Sequence, residues 1–177
     1  MLFRSMKGFS ETSIQDIVDA IGVTKGTFYY YFPSKEQLLM DIQLRYVDEL
    51  LGEQAVILRN SKTCKEKLFD IVYMLISKIK TQGSSARIFF REMKHLSEAK
   101  LEQIIEKRDS FRLNIEKLIT DGMRLGEFRS TINPTIVTFG ILGAVNWSYQ
   151  WFHPEGTSSD LEVAEIFIDL LLNGIRE

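Results

Sequence analysis

The sequence predicts an all-α protein in two parts, a small N-terminal helix-turn-helix module followed by a larger C-terminal helical bundle. Three observations predict it. Apolar residues recur three and four apart along most of the chain, the period of a half-buried helix. Capping pairs and glycines stand where such helices would start and stop. The strict apolar–polar alternation of a half-buried strand is missing.

Taken in order, these signals place helices at 13–21, 24–31, 34–59, 64–82, 85–96, 98–124, 134–152 and 160–175. Ile14, Ile17, Val18 and Ile21 form a short stripe. Leu68, Ile71, Val72, Leu75, Ile76 and Ile79 form a second, and Leu101, Ile104, Ile105, Phe111, Ile115, Leu118 and Ile119 a third. Thr12 with Gln15, Ser34 with Gln37, Thr63 with Glu66 and Ser159 with Glu162 read as capping boxes, which satisfy the free N–H groups of a first turn. Asn133 before Pro134 reads as an N-cap followed by proline at the first helical position. Gly22, Gly83 and Gly126 mark helix ends. The 34–59 helix has no internal break and links the module, residues 1–46, to the bundle, residues 47–177.

A net charge of −2 over 177 residues gives no general attraction for nucleic acid, so a basic surface must be local. The lone Cys64 rules out an intrachain disulfide and fits a reducing, cytoplasmic setting. No secretory leader pattern opens the chain. Pro134–Phe152 is the longest apolar stretch, but Thr135, Thr138, Asn146, Ser148 and Gln150 interrupt it. That favours a helix buried on most faces over a membrane span. No cofactor or metal is expected, because no glycine loop cradles phosphate and His95 and His153 lack partners at ligand spacing. Cys64, in a first helical turn, is either an inert thiol or one whose thiolate the helix start favours. No pattern points to catalysis.

The segment Ser13–Phe32 carries the most information. A short amphipathic helix ends at Gly22, Val23 can plug between two helices, and Thr24 can cap a helix running Lys25–Tyr31. Phe28 and Phe32, four apart, share a face and can hold that helix down. Gly26, Thr27 and Tyr30 then face outward, with Lys25, Tyr29 and Tyr31 on the flanks. Gly26 admits a close backbone approach, Thr27 suits a thymine methyl or a base edge, and lysine and tyrosine suit phosphates. Taken singly, the tyrosines serve equally well as packing residues.

Read together, Ser13-Ile14-Gln15-Asp16-Ile17 and Gly22-Val23-Thr24-Lys25-Gly26-Thr27-Phe28-Tyr29-Tyr30-Tyr31-Phe32-Pro33-Ser34-Lys35-Glu36 resemble the TetR-family signature. The resemblance implies a regulator that binds double-stranded DNA as a homodimer on a near-palindromic operator. By it, Thr12 and Ser13 touch the DNA backbone, and Thr24, Lys25, Gly26, Thr27 and Tyr30 enter the major groove. Tyr29, Tyr31 and Lys35 grip phosphates. The family has a full helix before the glycine matching Gly8. Only Met1–Lys7 stand there in this sequence, so the first helix reads as truncated.

The bundle is expected to dimerise and to bind a ligand. Its last helix has two apolar faces. Val163, Ile166, Phe167, Leu170 and Leu171 make one, and Leu161, Ile168 and Leu172 make the other. Both could serve one core, or one could meet a second chain; the resemblance implies a dimer through the last two helices. Gly140, Gly143 and Ala144 form a small-residue stripe that permits close helix approach. The aromatic and methionine residues of the middle helices are either plain core or the lining of an apolar cavity with a few polar groups. Tyr73, Arg87, Phe90, Arg91, Met93, Phe111, Phe139, Asn146 and Trp147 are the candidates for that lining. Arg91–Ser97, Gly126–Arg129 and Asn146–Phe152 resemble TetR regulators of fatty-acid or steroid catabolism, which implies an acyl-CoA effector. The rival expectation is a helical acyl- or lipid-binding protein without DNA-binding activity.

Overall fold

The computed structural model describes residues 8–175. Met1–Lys7, with the expected remnant of a first helix, lie outside the described residues. The described residues form seven α-helices and one short 3-10 turn, with no strand among them. The helices are α1 Ile14–Ile21, α2 Lys25–Tyr31, α3 Lys35–Arg59, α4 Cys64–Arg91, α5 Glu98–Arg124, α6 Pro134–Trp151 and α7 Asp160–Ile175. The 3-10 turn is Met93–His95.

The caps form largely as the sequence requires. Thr63 and Glu66 make a reciprocal capping box, and the Asn133 side chain accepts from the Ile136 N–H above Pro134. The Ser34 hydroxyl accepts from the Gln37 N–H, but the Gln37 amide turns away to Asp41, so that cap is one-sided. The first box is one residue later than expected. Ser13, not Thr12, is the N-cap, paired with Asp16, because the Thr12 hydroxyl is engaged by the Gly8 carbonyl. Gly22 closes α1 at φ 70, a left-handed position that costs glycine little. The break expected at Gly83 falls one residue earlier: α4 kinks at Gln82 (φ −133, ψ 33), where two helical segments meet, and the Gln82 side chain donates to Glu49 at 2.7 Å.

α4 is the centre of the bundle and packs on α3, α5, α6 and α7. The whole Leu68–Ile79 stripe is buried there. Gly122 of α5 lies so close to the Phe128 ring that an added Cβ would stand 2.3 Å from it, and this contact seats the α5–α6 turn. Cys64 is buried beneath the same turn. Burial first, and Glu127 second, raise its thiol above the ordinary range, so no reactive thiolate is favoured.

α6 departs from expectation. Within one chain only its Thr138, Ile141, Val145 and Ser148 face is buried, while Ile136, Phe139, Trp147 and Trp151 are exposed. The two faces of α7 also divide differently. Val163, Ala164, Ile168 and Leu172 pack inward, and Leu161, Ile166 and Leu170 face out. At 100° per residue, the inward set spans one arc that a single stripe of the sequence does not delimit.

Candidate nucleic-acid interface and apolar cavity

The N-terminal head is α1, α2 and the start of α3. The Thr24 hydroxyl accepts from the Thr27 N–H at 3.1 Å and meets the Thr27 hydroxyl at 3.1 Å, which fixes the first turn of α2. Phe28 is buried beside Phe32, with ring centroids 5.7 Å apart, and anchors the helix on the head's core. Phe32 itself is only half-buried. Thr24, Lys25, Gly26, Thr27, Tyr29, Tyr30 and Tyr31 are exposed, and Tyr30 reaches 81%. Ser13 is exposed and Thr12 half-buried at the start of α1. One helix therefore presents a lysine, two hydroxyls and three phenols to solvent, with a rigid apolar anchor behind them.

Lys35 differs from the rest of the predicted set. Its ammonium donates to the Phe9 carbonyl at 2.7 Å and the Thr12 carbonyl at 2.8 Å, and lies 4.2 Å over the Phe9 ring. A lysine so engaged ties the segment before α1 to α3, and its charge is turned into the head. The carbonyls lie far away in sequence, so no local pattern could have signalled them.

A cavity of about 520 Å³ opens between α3, α4, α5 and α6. Val47 and Leu50 line it from α3, and Leu75, Phe89 and Phe90 from α4. Ile105, Arg108, Asp109, Phe111 and Arg112 line it from α5, and Phe139, Leu142, Gly143, Asn146, Trp147 and Tyr149 from α6. The Phe90 and Tyr149 rings stack at 5.1 Å. This is the composition of a small-molecule site, apolar with few polar groups.

The sequence matches the model of the tetR family of bacterial regulatory proteins over residues 4–42. It matches the tetracyclin repressor-like C-terminal domain over residues 61–175. The chain belongs to the TetR family. Among its relatives is the transcriptional repressor KstR2 of Rhodococcus jostii, 27% identical over 171 residues that cover 96% of this chain and 83% of that one. The structure of PfmR of Thermus thermophilus is 27% identical, with a TM-score of 0.90 over 98% of this chain and 94% of that one. The structure of AibR with isovaleryl coenzyme A and operator DNA is 25% identical, with a TM-score of 0.84 over 93% and 89%. As a TetR chain it is a DNA-binding transcriptional regulator and not an enzyme.

Within this TetR body the structure brings together Phe90, Phe111, Phe139, Asn146 and Trp147 of the predicted ligand set. It separates the others. Arg87 and Arg91 are exposed and do not line the cavity. Tyr73 stacks on Phe69 at 6.3 Å instead of lining the cavity. Met93 sits on the 3-10 turn past the end of α4, outside the lining. Sequence reasoning missed Arg108 and Asp109. They fall on the polar side of the α5 stripe, and an interrupted stripe was the only signal for them.

Head and body meet at that 3-10 turn. The Ser97 N–H donates to the Glu36 carboxylate at 2.7 Å, and Lys100 lies 3.4 Å from it. The Ser97 hydrogen bond is the main cause that holds Glu36 below its ordinary range. The Phe9 and His95 rings lie 5.1 Å apart, and the Ser10 hydroxyl is 3.4 Å from a His95 ring nitrogen. Among the described residues no group of His, Cys, Asp and Glu could hold a metal ion, and no helix is long and apolar enough to cross a membrane.

Proposed function

We propose that the chain is a homodimeric repressor whose α2 helices read adjacent major grooves of a near-palindromic operator, and that a small apolar effector in the cavity releases it. The observation that carries this reading is α2 itself, held by Phe28 with Thr24–Thr27 and Tyr29–Tyr31 turned to solvent. Thr27, Gly26 and Tyr30 would meet base edges, and Ser13, Lys25, Tyr29 and Tyr31 the phosphates. Thr12 keeps a place at the DNA backbone through its exposed edge. Lys35 drops out of the contacts, its ammonium being committed to two carbonyls. Symmetry sets the half-sites roughly one helical turn, about 34–36 Å, apart.

The exposed apolar residues of α6 and α7, among them Ile166, Leu170 and Trp151, support a dimer through the last two helices. The KstR2 relative is a repressor, and AibR is seen with an acyl-CoA and operator DNA. The AibR complex favours an acyl-CoA as the effector. Val47 and Leu50 of α3 line the cavity, and α3 begins in the head, so an effector that prefers one placement of α3 would shift the spacing of the two heads.

The test is a gel shift with DNA from upstream of the chain's own gene. Wild type is expected to shift it, and Thr27→Ala to change the preferred base at one position by about 1–3 kcal/mol of discrimination. Failure of the wild type to bind any such fragment would remove the repressor reading.

A further inference from the structure

We infer that Arg108 is the anchor for an anionic group on the effector, so that the cavity selects an amphipathic anion over a neutral apolar molecule of the same length. The inference rests on the effector reading of the cavity and adds the chemistry that the ligand must carry.

The charged lining consists of Arg108, Asp109 and Arg112. The two arginines are in opposite situations. Arg112 is compensated, with Nε 3.3 Å from Asp109 and Nη1 3.0 Å from Glu116, and its guanidinium lies 5.2 Å over the Phe139 ring. Asp109 pairs directly with Arg112 and acts on Arg108 only at longer range. Arg108 has no carboxylate within ion-pair distance among the described residues. Its guanidinium lies 5.5 Å over the Phe89 ring, and Nη1 donates to the Met93 sulfur at 2.9 Å.

A thioether is a weak acceptor, and a guanidinium has five N–H donors in a planar fork. Most of that donor capacity therefore has no strong acceptor in the protein. Arg108 is exposed at the cavity mouth; desolvation by its apolar neighbours lowers its pKa, and the Asp109 carboxylate acts in the opposite sense. A carboxylate or phosphate at the cavity mouth could accept two N–H bonds in the fork and give Arg108 a direct ion-pair partner. The apolar body would then lie among Leu50, Leu75, Phe111 and Trp147. A neutral molecule of the same length gains the apolar burial but not the ion pair.

Two sources offer such an anion, a free carboxylate and the phosphates of a nucleotide thioester. Calorimetry on the full chain with octanoate, octanoyl-CoA and octan-1-ol separates them. At least one anion is expected to bind about tenfold or more tighter than the alcohol, and which one identifies the source. Arg108→Gln should bring that anion down to the alcohol's affinity and leave the alcohol unchanged. Arg108→Lys, which keeps a point charge, should retain part of the preference, and circular dichroism checks that both variants fold. Equal binding of alcohol and anions to the wild type overturns the anchor alone. A preference that survives Arg108→Gln overturns it too. Binding of none of the three overturns both the anchor and the effector cavity.

Discussion

In the head, α1 and α2 bury one side chain each, Val18 and Phe28, whereas α4 in the body buries ten. The head works by what it turns outward and is held by a few anchors and caps. The body works by what it turns inward and is held by a redundant core. A single substitution should therefore be able to disable the head while the body stays folded, and the reverse should be hard.

The largest expected effect tests that asymmetry. Phe28→Ala should cost about 3–5 kcal/mol locally, abolish operator binding and leave the bundle's melting nearly unchanged. Hydrogen exchange resolved by segment would show fast exchange confined to α1 and α2. Loss of protection in α4 as well would erase the distinction between the two regions.

In the body, Gly122→Ala should cost about 1–3 kcal/mol, because the new Cβ would stand 2.3 Å from the Phe128 ring. Thermal melting should fall for the whole bundle, without change in the salt dependence of DNA binding. An unaltered melting temperature would mean that the α5–α6 turn gives way freely.

Two lysines sharpen the comparison inside the head. Lys25 is exposed, and Lys35 is held by two carbonyls. Lys25→Ala should lower the slope of log affinity against log salt by about one per subunit, about two for the dimer, and Lys35→Ala should leave the slope unchanged while lowering the head's stability. Equal slope changes would place Lys35 back on the phosphates.

The smallest effect concerns the joint between the regions. The folded protein holds the Glu36 carboxyl below its ordinary range, chiefly through the Ser97 N–H. A lowered pKa means that the contribution is present above the ordinary carboxylate pKa and is lost as pH falls through the folded value. Glu36→Gln should therefore be the less stable protein near neutrality, and the difference should close in acid. A gap that persists below the carboxylate range would assign it to packing instead.

The head was legible because its signals are local. Ser13, Gly22, Thr24 and Phe28 act on groups within a few residues of themselves, so their order in the chain nearly dictates the geometry. Even there Thr12 took the wrong part in the first cap, since its hydroxyl turned back to Gly8. The body was legible as stripes and helix ends but not as a site. Phe90 and Phe139 were found from residue type, while Arg87 and Arg91 were placed in the cavity by nearness in sequence to Phe89 and Phe90. Buried amides show the same limit. The Gln54 side chain is satisfied by Phe111 and Asn114, but Gln43, on the same helix, has no protein partner for either polar atom.

The helical class, nearly all helix ends and the motif of the head follow from local chain chemistry, because caps, turns and the 3.6-residue period act over one or two turns. Which arginines line the cavity, where Lys35 places its charge and which face of α7 is left exposed follow instead from long-range packing. Those outcomes depend on the rotation of each helix about its axis. That rotation is set by packing between residues far apart in the chain, such as Val47, Phe89, Arg108 and Trp147 around one cavity.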